Sequence, residues 1–190
     1  MRFIFKTDYA QDLKLFKDGV VLFWYGLLAV ALLALPLVLP EYLTGQMVFI
    51  LIYCIIGLGL MLLIGYTGQM SLGHAAFLAV GAYTEALLQA KGVPFVLSLT
   101  AATVLAGLAG VLVGLPALRL KGIYLAIATM AFGFIAEEAV TRWESVTGGN
   151  AGKQVKQISL FGLPIDDDTR FYYLALGLVV LVMLGLINLM

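Results

Sequence analysis

Between Gly19 and Leu118 the chain runs for 100 residues with only three charged side chains, Glu41, Glu85 and Lys91. A stretch of that length and poverty cannot cover a folded surface with polar groups in water. Over the whole chain 63% of residues are hydrophobic and 12% charged, roughly half the charge of an ordinary soluble domain, and the mean hydropathy is +1.06. The solvent this chain is built for is lipid. Since about 20 apolar residues cross a ~30 Å hydrocarbon layer, 190 residues allow a handful of spans joined by short loops. The expected fold is all-α, a polytopic transmembrane helical bundle.

Charge and cysteine usage narrow the functions. Eleven basic and eleven acidic residues cancel, so no basic stripe exists to neutralise phosphates and no nucleic acid partner is expected. Cys54 is the single cysteine; it allows neither an internal disulfide nor a cysteine-based metal cluster, and its apolar neighbours predict a small buried hydrophobe. At the N-terminus Arg2, Lys6, Lys14 and Lys17 alternate with Asp8, Asp12 and Asp18. That mixture is unlike a secretory signal and reads as a cytosolic lead-in helix over residues 1–19, ahead of a transmembrane domain over residues 20–190.

Six apolar runs follow. The first covers residues 20–39, with Pro36 and Pro40 at its far end and a brief polar turn beginning at Glu41; the second covers 47–64. A third, 75–88, is short for a span and is closed by Lys91, Gly92 and Pro94. The fourth, 95–118, ends before Arg119 and Lys121; the fifth, 123–136, ends at Glu137 and Glu138; the sixth covers 171–190. Residues 140–170 carry Arg142, Glu144, Lys153, Lys156 and the triplet from Asp166 to Asp168, the one sizeable water-exposed segment. A cytosolic N-terminus with strict alternation puts Arg119 and Lys121 inside, and Glu41, Lys91 and the 140–170 segment outside, as the positive-inside tendency prefers.

The break between the second and third runs is the most informative feature. Gly65, Tyr66, Thr67, Gly68, Gln69, Met70, Ser71, Leu72, Gly73 and His74 include three glycines and several hydrogen-bonding side chains, with no fixed charge. Backbone that leaves helical geometry at membrane depth must face protein or a watery cavity, and discontinuous helices of this kind mark transport sites in carriers. Gly65, Thr67, Gly68, Gln69, Ser71, Gly73 and His74 are therefore candidate pathway residues, a neutral polar lining suited to a polar or zwitterionic solute. The competing reading is a plain interfacial turn, with Ser71 capping the next helix.

The remaining features read as structural. His74 is the only histidine and lacks companion ligands, so no metal site is expected; a packed, hydrogen-bonded ring is. Glu85 shares a helical stripe with His74 but lies near the end of its run, within reach of solvated headgroups. Gly107, Gly110 and Gly114 lie in a small-residue span of the kind that lets helix backbones approach closely in lipid. Glu138 and Arg142 form an (i, i+4) surface pair. The run from Thr147 to Gln154 is not a phosphate loop, since Thr147 stands where glycine is required, Gln154 where serine or threonine is, and no strand precedes it. It reads as a flexible external turn, and no cofactor is expected.

The break continues into Ala75, Ala76 and Phe77, then Gly81, Ala82 and Tyr83. Later come the block from Leu115 to Thr129 with Ala131, Phe132 and Gly133, and Thr147, Gly148 and Gly149 before Gly152. In this order and spacing the sequence resembles the branched-chain amino acid ABC transporter permeases, of the LivM-type subunit. The resemblance runs from about Leu58 into the 140–170 segment, and urea and short-amide permeases share much of it. It implies a multi-pass subunit of a bacterial inner membrane that pairs with a second permease subunit, is driven by two cytosolic ATPase subunits and receives leucine, isoleucine or valine from a periplasmic binding protein. Phe134 stands where the family commonly has a glutamate, so no charged site is assigned there. Family members continue past the position of Met190, so the chain is expected to be an N-terminal portion. Two rivals remain: an intramembrane enzyme using His74 and Glu85, and an assembly subunit without a solute path.

Overall fold

The computed structural model describes residues 19–155, 158–160, 163–165 and 167–189. Residues 1–18, and with them the expected lead-in helix, lie outside these, as do Lys156 and Asp166. The architecture is an all-α membrane bundle: α1 (Gly19–Val38), α2 (Glu41–Met61) running on into a π-helical turn (Leu62–Tyr66), α3 (His74–Ala90), α4 (Phe95–Ala117), α5 (Ile123–Arg142), the short α6 (Glu144–Thr147) and α7 (Asp168–Leu189). A hairpin of two three-residue strands, β1 (Ile158–Leu160) and β2 (Leu163–Ile165), interrupts the helices before α7. Among the described residues four helices are long and apolar enough to cross a membrane, Glu41–Tyr66, Phe95–Ala117, Ile123–Arg142 and Asp168–Leu189; Leu22–Val38 is a shorter apolar helix.

Several boundaries depart from the apolar runs for identifiable reasons. The polar turn expected at Glu41 is instead the first turn of α2, because Pro40 at the N-cap (φ −64°, ψ 153°) restarts the helix two residues after α1 ends, and an acid is favourable at a helix N-terminus. Helix α5 continues past Ala136 to Arg142 and carries Glu137 and Glu138 on its last turns. The segment from Thr147 is not a flexible turn. Thr147 is buried, its hydroxyl lying 2.6 Å from the Val140 carbonyl and 2.9 Å from that of Trp143 while accepting the Gly149 amide at 3.1 Å. At Gly148 (φ +81°) a Cβ would stand 2.4 Å from the Gly152 oxygen, so only glycine closes this turn.

Packing divides the helices into two groups. Helix α2 lies along α7 around Val48, Leu51, Tyr172, Ala175 and Val179, with α1 against both; α3 lies along α4, with α5 against α3. Most large apolar side chains point outward, among them Leu37, Tyr53, Leu112 and Ile123, as a lipid solvent permits. Cys54 also faces outward rather than being buried, because α2 gives only one stripe to α7. With no water in the bilayer core, hydroxyls are satisfied within the fold: Thr44, Thr84, Thr100 and Thr103 each donate to the carbonyl four residues back.

Pro36 creates the sharpest demand of this kind. Having no N–H, it leaves the Leu32 carbonyl without its helical donor, and the buried Tyr172 hydroxyl donates to that carbonyl at 2.9 Å; Tyr173 donates to the next, Leu33, at the same distance. Replacing Tyr172 with Phe should cost about 1 kcal/mol and lower the thermal midpoint of the protein in lipid nanodiscs. In a Pro36→Ala background, where residue 36 supplies the amide, the same replacement should cost distinctly less. Equal costs in the two backgrounds would show that Tyr172 acts through packing alone.

Candidate functional site

The break begins where α2 ends. The π-helical turn widens the end of α2, and the Gln69 amide folds back to the Leu63 carbonyl at 3.2 Å, with the Thr67 hydroxyl donating to that carbonyl from its other side. Gly68 then takes φ +64°, and residues 68–73 return without helix until α3 begins. The His74 Nε2 lies 3.4 Å from where a Cβ on Gly59 would stand. Gly59 is seven residues before Tyr66, so the His74 side chain reaches back beside α2. As a helix, the third apolar run is 17 residues long.

The return segment is fastened to α5. The Leu72 amide donates to the Thr129 hydroxyl at 3.0 Å, and that hydroxyl donates to the Ala126 carbonyl at 3.0 Å. Gly73 packs so tightly that a Cβ would stand 2.2 Å from the Thr129 carbonyl oxygen, while a Cβ on Gly133 would meet the Gly73 Cα at 3.5 Å. Thr129 and Gly133 lie about 9 and 15 Å along α5 at 1.5 Å per residue, so the contact reaches the middle of that helix. Gly73, not Ser71, is the N-cap of α3, and no side chain caps it.

Two cavities flank the fastened segment. One, of about 400 Å³, is lined by Gln69, Ser71 and His74 from the break, Phe77 from α3, Gly107, Gly110 and Gly114 from α4, and Leu125 and Thr129 from α5. The other, of about 380 Å³, lies between Leu72, Ala75, Ala76 and Ala79 on one side and Met130, Phe134 and Glu137 on the other. The first brings neutral donors and acceptors to one end of an otherwise apolar wall. The remaining candidates hold the backbone: Gly65 in the π-helical turn, Thr67 on the Leu63 carbonyl, Gly68 at positive φ and Gly73 against α5. No heavy atom lies within 4 Å of the Cβ position of Gly107, Gly110 or Gly114, so within this chain they open space rather than bring two helices together.

His74 is packed, its ring meeting Phe77 edge-on with centroids 6.3 Å apart, and Phe77 in turn meets Phe132 at 5.6 Å. The ring has no hydrogen-bond partner among the described residues, contrary to the expected hydrogen-bonded histidine. Glu85 stands eleven residues along α3, about 16 Å away, and is not solvated as its position near the run's end suggests. Its Oε1 accepts from the Ser98 hydroxyl at 2.7 Å and the Gln89 amide at 3.1 Å. Among the described residues no three metal-ligating side chains converge. The residue that sequence reasoning passed over is Thr129. It sits within the block that carries the resemblance, but nothing local marks its hydroxyl as the acceptor for an amide 57 positions away.

The family described as "Branched-chain amino acid transport system / permease component" matches residues 42–190. The chain is 39% identical over 151 residues to the high-affinity branched-chain amino acid transport system permease protein LivM of Salmonella typhimurium, covering 78% of this chain and 35% of that protein. It is 41% identical over 150 residues to the Escherichia coli protein of the same name, covering 76% and 35%. The chain thus spans about a third of the length of these curated relatives. No solved structure matches it at a significant level.

Replacing Gly73 with Ala forces a methyl into the Thr129 carbonyl and should expel the return segment from α5, with loss of the folded protein on size-exclusion chromatography. Thr129→Val keeps the shape but removes the acceptor for the Leu72 amide. It should cost about 1–3 kcal/mol, read as a lowered thermal midpoint, with proteolysis at residues 67–73 exposing the freed segment.

Proposed function

The chain belongs to the family of branched-chain amino acid transport system permease components, and from that premise we propose that it forms the solute path of an ABC importer for branched-chain amino acids in a bacterial inner membrane. In this reading it works by alternating access beside a second permease subunit, two cytosolic ATPase subunits supply the energy, and a periplasmic binding protein delivers the solute. The chain itself performs no chemistry. The N-terminus faces the cytosol, which puts Arg119 and Lys121 inside and the 140–170 segment outside.

The observation that carries this reading is the break itself: a non-helical segment that sets Gln69, Ser71 and His74 at one end of a 400 Å³ cavity, opposite the open glycine positions of α4. Its volume falls in the range of small-molecule sites. Leu63, Val111, Val113 and Leu125 give it an apolar wall that suits an aliphatic side chain and offers urea nothing, which favours the amino acid over the urea or short-amide alternative. The enzyme reading loses its pair, since His74 and Glu85 are apart and Glu85 is engaged elsewhere. The assembly reading makes residues 65–74 a plain turn between helices, and the Leu72–Thr129 hydrogen bond with the close approach of Gly73 to α5 favours a segment held in place instead.

The test starts from Cys54→Ser, which removes the single native thiol. Single cysteines at Gln69, Ser71 and His74 should label with a water-soluble thiol reagent in the assembled transporter, and leucine but not urea should slow the labelling. Gly110→Leu, which fills the cavity from its open side, should cut leucine uptake on the order of tenfold or more with the thermal midpoint unchanged. Labelling indifferent to every solute, with full uptake by the Gly110 variant, would remove the path from this cavity.

A further inference from the structure

Between α3 and α4, some 16 Å along α3 from His74, a second polar cluster has no part in the proposed path. Glu85 Oε1 lies 2.7 Å from Ser98 Oγ, whose single proton also has the Phe95 carbonyl at 2.9 Å, and it accepts from Gln89 Nε2 at 3.1 Å. Ser98 is fully buried and Gln89 is 8% exposed. Glu85 Oε2 and Gln89 Oε1, both buried, have no hydrogen-bond partner. The Gln89 amide cannot be turned over to relieve this, since that would set its oxygen against Glu85 Oε1. Both unspent atoms are therefore oxygen acceptors, on neighbouring turns of one helix, beside a carboxylate that no basic side chain among the described residues pairs.

A buried carboxylate and amide oxygen left without donors are costly, and an ionisable residue inside a membrane helix points to a bound partner. The surroundings supply none. Helix α4 carries no titratable side chain, nor does β1, which touches it. Helix α3 has otherwise His74 and Tyr83, with Lys91 just beyond its end. Of the titratable groups on α5, namely Tyr124, Glu137, Glu138 and Arg142, none bonds to the cluster, and Arg142 is paired with Glu138. What two acceptors and one negative charge require is a small positive charge. We propose that Glu85, Gln89 and Ser98 form a binding site for a small monovalent cation between α3 and α4, held by Glu85 Oε2 and Gln89 Oε1. A sodium or lithium ion and a proton share this chemistry. Occupancy offsets the cost of the two unpartnered oxygens at the end of α3 and so stabilises the fold, whatever passes through the other cavity.

The test is thermal unfolding of the full-length protein in lipid nanodiscs, at constant ionic strength, exchanging N-methyl-D-glucamine for sodium, lithium or potassium and repeating the series from pH 9 to pH 6. The wild-type midpoint should rise by about 3 °C at saturation. A rise with sodium or lithium at fixed pH identifies an alkali ion, and a rise on acidification that no alkali ion reproduces identifies the proton. Glu85→Gln replaces Oε2 by an amide that donates permanently to Gln89 Oε1, so it should unfold no earlier than the loaded wild type and respond to neither series. Ser98→Ala, which removes a donor but neither acceptor, should keep the response. Should Glu85→Gln not fold, Gln89→Leu takes its place and should lose the response. A wild type that ignores both series, or a Glu85→Gln or Gln89→Leu variant that responds as the wild type does, overturns the site.

Discussion

An amide inside hydrocarbon has no water to turn to, and the Leu72 amide is met by the Thr129 hydroxyl. That bond holds a non-helical stretch of chain against the middle of α5. The rest of the local structure follows from bringing two backbones together there. Gly73 and Gly133 face each other because any side chain at Gly73 would occupy the space of the Thr129 carbonyl. Helix α3 is short because it starts where this fastening ends. The cavity exists because the fastened segment holds Gln69, Ser71 and His74 away from the glycine face of α4. Without the Thr129 hydroxyl, the segment's cheapest course would be to slide to the interface and become the plain turn that its composition also allows.

The same accounting explains the α1, α2 and α7 group. Proline in a membrane helix is tolerated where a neighbour repairs the lost hydrogen bond, and Tyr172 does so for the carbonyl that Pro36 frees. One hydroxyl thus sets both the register of α7 against α1 and the centre of the apolar cluster around Val48 and Leu51. Lipid supplies no hydrophobic drive between helices, so in each group a few specific polar contacts fix positions that apolar side chains then fill.

What the sequence made legible was whatever depends on short range. The apolar runs, the proline and glycine punctuation and the uncharged break each announce themselves within twenty residues, and among the described residues each of the six runs holds a helix. Partners distant along the chain stayed hidden. Ser98 lies 13 positions from Glu85 and reaches it only because Gly92, at φ +81°, folds α4 back along α3, so Glu85 read as solvated. Thr129 reads as one more threonine in an apolar helix, like Thr100 or Thr103, which merely donate to the carbonyl four residues back. The glycines of α4 are a related case. Periodicity shows that Gly107, Gly110 and Gly114 share a face, but whether that face meets a helix or a space depends on where the break is held.

The character of the path, on the reading proposed, follows from what the cavity lacks. An amino acid entering it brings an ammonium and a carboxylate, and each loses hydration that neutral groups replace only in part. Gln69, Ser71, His74 and Thr129 offer donors and acceptors but no opposite charge, so the polar end of the solute is tolerated more than it is gripped. The aliphatic side chain does better against Val111, Val113 and Leu125, and the open glycine positions leave room for branching. A route has to bind well enough to admit and poorly enough to release. A fixed charge beside His74 would hold one end of a zwitterion firmly and repel the other. The nearest acid on α3, Glu85, is about 16 Å away and is already bonded to Ser98 and Gln89, which leaves the lining neutral.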